Sequence, residues 1–432
     1  MCQHLSTGKY REALFGSSST SGLAPWSFFL FTLAAVLTLG ALGTILYFWL
    51  PKDAPFWQRL FDRTLITPDE ALATRAHERV WEGRLQGPGG AVEAFEAALR
   101  RDPASPYRWC ELGETLLEAG RTEEARRCFR RGVELGAGTP SILMRAANFH
   151  FRLGENRQAL TFTIRVLAMT PEFDQVIFSS YARLGVSIEE ALADGVPKQR
   201  RAAQAFLRHL LADASAGPAE TVWRWARALA FVDDALADEY AGFLLAQRQY
   251  DKALAAWAGH FSARHPGFPQ PNRIFNGGFE HEPAGSTFDW RIEPVEGVEV
   301  ERDNATSAEG HWSLRLRFAG QENLAYRHVS QRAVVHPGPW RFQAQVRTED
   351  LTTDQGLAFQ IVDAEAPARL DLKTEPLLGT REWSRIEAPL VIPPPTRLVE
   401  IRLVRQPSLK FDSKIRGAAW IDAVRLVAAS AR

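Results

Sequence analysis

Three alanines, Ala91, Ala125 and Ala159, stand 34 residues apart, and Phe95 with Phe129 and Gly120 with Gly154 keep the same spacing. Pro103 and Pro171 are separated by twice that distance. A period of this length does not suit one closed core. It describes helical hairpins, each burying its apolar faces against its neighbours only. The chain is therefore expected to form an α-solenoid over residues 70–265. Residues 174–235 are helical in pattern but irregular, and GVP at 195–197 reads as an inserted loop.

The repeat resembles the tetratricopeptide family. In WCELGETLLEAGRTEEARRCFRRGVEL, Trp109, Leu112, Gly113, Gly120, Ala125 and Phe129 fall in the slots of that signature. Small residues at Gly113 and Ala125 allow close helix approach, and Phe129 fills the space between units. Gly154, Ala159 and Pro171 support the next unit, where Thr163 replaces the expected aromatic. Tyr250, Ala253 and Trp257 form a later, looser copy. The resemblance implies a concave surface for an extended peptide or partner helix, on which helix geometry places Glu114, Asn148 and Arg152. His150, His260 and His265 have no carboxylate or cysteine at ligand spacing, so surface or core histidine is the expectation for each.

From Trp26 to Leu50 the chain runs 25 residues without a charge. As a helix this stretch would rise ~37 Å, enough to cross a ~30 Å hydrocarbon core. Aromatics mark both ends (Trp26, Phe28 and Phe29; Tyr47, Phe48 and Trp49), as at a membrane interface. We expect a disordered tail over 1–25, a retained transmembrane helix over 26–50 and a connector over 51–69. Basic residues flank both ends (Lys9 and Arg11; Lys52, Arg59 and Arg63), so charge bias does not orient the span.

Past Asn272 the apolar period changes to two. In WRFQAQVRT, Trp340, Phe342, Ala344 and Val346 alternate with Arg341, Gln343, Gln345 and Arg347; SLRLRF and RLVEIRLV repeat the pattern. Half-buried strands separated by Gly, Pro, Asn and Asp turns imply an antiparallel β-sandwich over 272–428. The segment resembles carbohydrate-binding modules with the galactose-binding-like jelly roll. NGGFE at 276–280 matches their opening motif, and EGHWSLRL, VVHPGPWRFQAQVRT, EWSRIEAPLVIP and WIDAVRL follow in the family's order. In the opening motif, Gly277 and Gly278 are expected to make the turn and Phe279 to enter the core.

That resemblance implies a structural calcium ion held by Glu280 and Asp422, since a hard cation takes carboxylate and carbonyl oxygens. No other cofactor is expected. For carbohydrate, Trp312, Tyr326, Gln331 and Arg341 are the candidate contacts; Trp290, Trp340, Trp383 and Trp420 fall in framework motifs and are assigned to packing. Arg315, Arg317, Arg341, Arg347 and Arg402 are the arginines an acidic polysaccharide would meet.

Equal numbers of basic and acidic residues, 51 of each, leave no basic footprint for nucleic acid. Three cysteines show no C-x-x-C spacing, which removes a zinc site; Cys110 and Cys128 are either a disulfide or two buried thiols. With solenoid and sandwich assigned, no segment is left for a catalytic domain. The expected whole is multidomain, α plus β: a transmembrane helix, an α-solenoid of helical hairpins and a C-terminal antiparallel β-sandwich (jelly roll). Its expected work is non-catalytic scaffolding in a bacterial inner membrane, with the body periplasmic. The solenoid would dock protein and the sandwich polysaccharide, in exopolysaccharide assembly or export. A purely protein–protein scaffold is the alternative; a glycan-processing enzyme, with Glu280 and Glu282 as its carboxylates, is the remote one.

Overall fold

The computed structural model describes residues 88–429 apart from 262, 263 and 266. The tail, the transmembrane helix and the connector expected before residue 70 lie outside these residues. Among the described residues no helix is long and apolar enough to cross a membrane. The chain divides into two compact units, Met1–Pro103 with Glu118–Gly120, and Ala104–Leu117 with Arg121–Arg432. Of the first, one long helix is described, α1 (Pro88–Arg101).

The second unit carries the helical hairpins and both sheets. Its helices are α2 (Pro106–Glu118, whose last residue falls to the first unit), α3 (Thr122–Leu135), α4 (Pro140–Arg152), α5 (Asn156–Met169), α6 (Asp174–Arg183), α7 (Arg200–Ala212), α8 (Ala216–Ala228), α9 (Asp234–Ala246) and α10 (Tyr250–Phe261). In α3, Ala125, Cys128, Phe129 and Gly132 are the buried set, spaced i, i+3, i+4 and i+7, which makes one apolar stripe. A Cβ on Gly113 would lie 2.9 Å from two ring carbons of Phe129, so the close packing read from the repeat is present. Cys110 and Cys128 are buried thiols, and burial pushes Cys110 up to about 12.

The repeat extends further than its sequence suggests. First helices start at Pro106, Pro140 and Asp174, 34 residues apart, and again at Arg200 and Asp234, also 34 apart. Between Asp174 and Arg200 the step is only 26. There a short helix (Ile188–Glu190) capped by Ser187 runs into a π-helical turn (Ala191–Gly195), in place of a full second helix. The irregularity is therefore a shortened unit rather than an inserted loop, and 200–228 is a regular hairpin. Tyr181 closes the short unit: its hydroxyl donates to Gly195 O at 2.9 Å and lies 2.7 Å from the hydroxyl of Thr163.

Ten strands build the sandwich: β1 (Arg291–Ile292), β2 (Val298–Asp303), β3 (Ser313–Ala319), β4 (Tyr326–Val334), β5 (Gly338–Leu351), β6 (Ala358–Asp363), β7 (Asp371–Lys373), β8 (Gly379–Ile392), β9 (Leu398–Arg405) and β10 (Arg416–Ala428). All pairs are antiparallel, in two five-stranded sheets ordered β1-β4-β9-β6-β7 and β2-β3-β10-β5-β8. The alternation read from β3, β5 and β9 puts Leu314, Leu316, Phe318, Phe342, Val346, Ile401 and Leu403 into one core.

The solenoid and sandwich share a second core. Trp257 of α10 is fully buried, with the rings of Phe261, Phe268, Phe275 and Phe288 at centroid distances of 4.3, 5.6, 4.5 and 5.6 Å. Its indole N–H donates to Asp238, which also accepts the amide N–H of Thr287 at 2.6 Å. Arg397 bonds Asp251 at 2.7 Å across the same junction. Trp257→Ala is expected to cost about 3–5 kcal/mol, the usual range for emptying a large aromatic site. In urea denaturation of the full chain, the helical signal and the sandwich tryptophan signal should shift together. A shift in the helical signal alone would show that the two parts do not share a core.

Candidate binding sites

Glu280 and Asp422 come together at the opening motif. Gly277 and Gly278 lie in the turn, as expected, while its left-handed residues are Asn276 (φ 50) and Phe279 (φ 54). Gly277 is needed for room, because a Cβ there would lie 2.1 Å from Val424 O, where β10 bulges between Asp422 and Arg425. Phe279 is fully buried, as expected. A Cβ on Gly278 would lie 3.5 Å from Asp422 Oδ1 and 3.9 Å from Glu280 Cγ, so both side chains border the same small space.

Backbone donors hold these carboxylates. Asp422 Oδ2 accepts from Ala308 N and Glu309 N at 2.8 and 2.9 Å, and Oδ1 accepts from Ala423 N. Glu280 Oε1 accepts from His311 N and Trp312 N at 2.8 and 3.2 Å. Burial pushes the Asp422 carboxyl above its ordinary range, against the pull of its backbone donors. Among the described residues neither carboxylate forms an ion pair, and no group of three or more His, Cys, Asp or Glu side chains is placed to hold a metal. A cation here would rest on these two carboxylates plus backbone carbonyls, a donor set that suits calcium and not zinc. Glu282 lies apart, exposed and paired with Arg302 at 3.2 Å.

The four carbohydrate candidates scatter. Tyr326 and Gln331 are each 2% exposed and face the interior; Gln331 donates to Phe275 O. Both are core residues and not ligand contacts: lying outside the framework motifs did not place them on the surface. Trp312 is half-buried, with the Arg302 guanidinium 4.0 Å from its ring centroid. Arg341 lies exposed on β5, paired with Glu387 at 3.1 Å.

The arginines on the sheets are not a bare positive field either. Arg315 pairs with Glu301, Arg317 with Glu299 at 2.7 Å, and Arg347 with Glu382 at 3.5 Å, each on a neighbouring strand. Arg402 lies in the other sheet, paired with Glu400 at 2.5 Å.

In the solenoid the three partner candidates line one groove of about 450 Å³, over a floor of Phe129, Phe149 and Phe151. Arg145, Asn148 and Arg152 lie on α4 at i, i+3 and i+7, which is one helix face, and Arg183 joins them from α6. Arg145 Nη1 is buried without a hydrogen-bond partner and lies 3.5 Å from Glu114. Among the described residues the side chains of Asn148 and Arg152 bond to nothing. Several other solenoid arginines are ion-paired: Arg126 with Glu155 at 2.8 Å, Arg208 with Glu239 at 2.8 Å, and Arg264 with Asp234 at 2.7 Å.

Histidines find partners that sequence spacing did not reveal. His150 lies 2.6 Å from Glu155 across a turn, and His260 lies 2.7 Å from Asp234 on the preceding helix. His265 lines a cleft of about 380 Å³ at the junction with Asp238, Phe275, His281 and Asp289. Its ring sits 3.7 Å from that of Phe275 and 4.4 Å from that of His281. Burial, with His281 and Arg264 beside it, pushes the His265 imidazole down from 6.5 to about 4. Because the folded value is the lower one, the unfolded chain takes up this proton first. Stability is then whole above pH 6.5 and falls as pH drops from 6.5 toward 4. His265→Gln should flatten that part of the stability profile in urea titrations, and an unchanged slope would assign the dependence elsewhere.

No protein-family model matches the chain, and no curated protein matches it. Among solved structures, the module TmCBM61 in complex with β-1,4-galactotriose is 19% identical with a TM-score of 0.27, covering 37% of this chain and 99% of its own. The CBM22-1 xylan-binding domain of Paenibacillus barcinonensis Xyn10C is 14% identical with a TM-score of 0.24, covering 36% of this chain and 94% of its own. Pseudomonas aeruginosa pilF is 12% identical with a TM-score of 0.25, covering 46% and 95%. At these identities and TM-scores the likenesses assign neither ligand nor partner to this chain.

Proposed function

We propose that the chain is a non-catalytic, membrane-anchored scaffold of the bacterial envelope whose solenoid groove docks an acidic protein segment. The observation that carries this reading is the pair of unmatched donors on α4, Asn148 and Arg152, among the described residues. Asn148 and Arg152 offer hydrogen bonds over an aromatic floor, beside Arg145, which pairs with Glu114 at 3.5 Å, and Arg183, which donates to the Ser180 hydroxyl. Charge-assisted bonds from guanidinium to carboxylate are the strong kind, and an extended acidic chain offers carboxylates along its length. The uncharged stretch 26–50 supports an inner-membrane anchor. A periplasmic body, with a place in exopolysaccharide assembly or export, is the setting that joins a protein-docking solenoid to a sandwich resembling carbohydrate-binding modules.

A labelled hexaglutamate peptide should bind the full chain, weaken with added salt, and lose roughly tenfold in affinity in Arg152→Ala, about one charged hydrogen bond. Equal binding of hexaglutamine would remove the charge argument.

For the sandwich we propose a structural calcium held by Glu280 and Asp422. Calcium bound only by the folded chain would add about 2.7 kcal/mol at a hundredfold excess over Kd. The melting temperature should therefore rise with calcium in the parent and not in Glu280→Gln. Identical melting in calcium and in chelator would show that the backbone donors alone hold this motif.

The second reading, protein scaffolding by both parts, is favoured by the state of the sheet faces. Tyr326 and Gln331 are buried and the arginines are paired, so Trp312 is the one remaining aromatic among the four candidate contacts. A glycan array probed with the full chain and with Trp312→Ala separates the readings. Binding lost in the variant supports the sugar reading, and a blank array supports the second.

A further inference from the structure

The end of the sandwich away from the solenoid has features that neither docking surface explains. Strand register defines this end: β4 and β9 pair Val334 with Leu398 beside the solenoid core and Tyr326 with Arg405 at the opposite end. Loops 320–325, 352–357 and 406–415 meet there. Arg405, 1% exposed, donates to one carbonyl from each of them, Leu324 O, Gln355 O and Ser413 O. Asn323 bonds both backbone groups of Ser408, at 2.8 and 2.9 Å, and the Ser408 hydroxyl lies 2.6 Å from Asp354.

On this pinned base stand Leu409 and Phe411, 102% and 107% exposed. The residue between them, Lys410, is drawn back to Asp354 at 3.3 Å, and Lys414 is exposed at the foot of the loop. Two large apolar side chains are thus held out in water by a base that gives them little freedom to fold back.

We propose that Leu409 and Phe411 form a wedge that enters the interfacial layer of a lipid bilayer. A sugar is a poorer occupant, because Asn323, Ser408, Asp354 and Arg405 are already spent on one another and leave few polar groups for hydroxyls. Lysines at the foot match the headgroup level, where a long stem lies in the apolar layer and its charge in water. Two side chains hold a free protein on a bilayer only weakly. In a chain already tethered to a membrane the contact is intramolecular and a weak one suffices. This last step rests on reading 26–50 as a membrane span.

The test uses the full chain carrying Cys2→Ser, reconstituted in phosphatidylcholine vesicles, with a nitroxide on Leu409→Cys or, as reference, on the exposed Arg385→Cys of β8. Cys110 and Cys128 are buried and stay as they are. The readout is the ratio of collisions with oxygen to collisions with a water-soluble nickel chelate. The ratio at 409 should exceed that at 385 several-fold, and Phe411→Ser in the 409-labelled chain should lower it toward the reference. A chain that does not float with the vesicles overturns the span and this proposal together. Flotation with equal ratios overturns the wedge alone. Protection appearing at 409 only after a glycan or a protein is added would overturn lipid as the occupant.

Discussion

The burial of Trp257 is the contact on which the rest of this molecule depends. A solenoid has two raw ends, and its last hairpin must cover its apolar face with something other than another repeat. Here α10 turns its indole into a cage of Phe261, Phe268, Phe275 and Phe288, of which the last two belong to the entry of the sandwich. Val334 and Leu398 of the sheets join the same cluster. The sandwich thus caps the solenoid, and the solenoid covers one end of the sandwich. Asp238 fastens the arrangement by accepting from both sides.

How much of this was legible depended on where the signal sat in the chain. The 34-residue period shows plainly where the left-handed turn between helices is filled by glycine, as at Gly120 and Gly154. Two later hairpins put Ala214 (φ 55) and Arg248 (φ 57) in that slot, and the shortened unit offsets their register by eight residues from the first set, 34 against 26. A periodicity search loses both clues at once. The structure recovers the repeat because the backbone keeps the turn even where the side chain does not announce it.

In the sandwich, period-two alternation revealed which residues share a face and left their neighbours hidden. Arg315 and Arg317 looked like open charge along β3, yet their partners Glu301 and Glu299 stand opposite them on β2. Tyr326 and Gln331 stood as ligand contacts for a related reason: Gln331 is covered by the segment at Phe275 and Tyr326 packs on Phe318 in the sandwich core, neither of which their own strand reveals. By contrast Glu280 and Asp422 were identified as a pair by family resemblance, and they do border one space. Their backbone donors from 308–312 depend on loop geometry that has no sequence pattern. The donor stripe on α4 was legible in part. Helical spacing placed Asn148 and Arg152, whereas Arg145 joins them only once its buried Nη1, without a hydrogen bond and 3.5 Å from Glu114, is seen.

A fused core between two proposed binding parts has a consequence for what they could hold together. Two sites joined by a flexible linker tolerate a range of spacings and gain from proximity across all of them. Here the segment after α10 is sewn into an aromatic core, so the spacing from groove to sheets is set by packing. If both proposed sites bind, the molecule would behave as a ruler: a partner that fits its one length would gain from both grips, and a longer or shorter one would hold a single grip. Selection by length would come with the fold and would need no residue that reads the partner's chemistry.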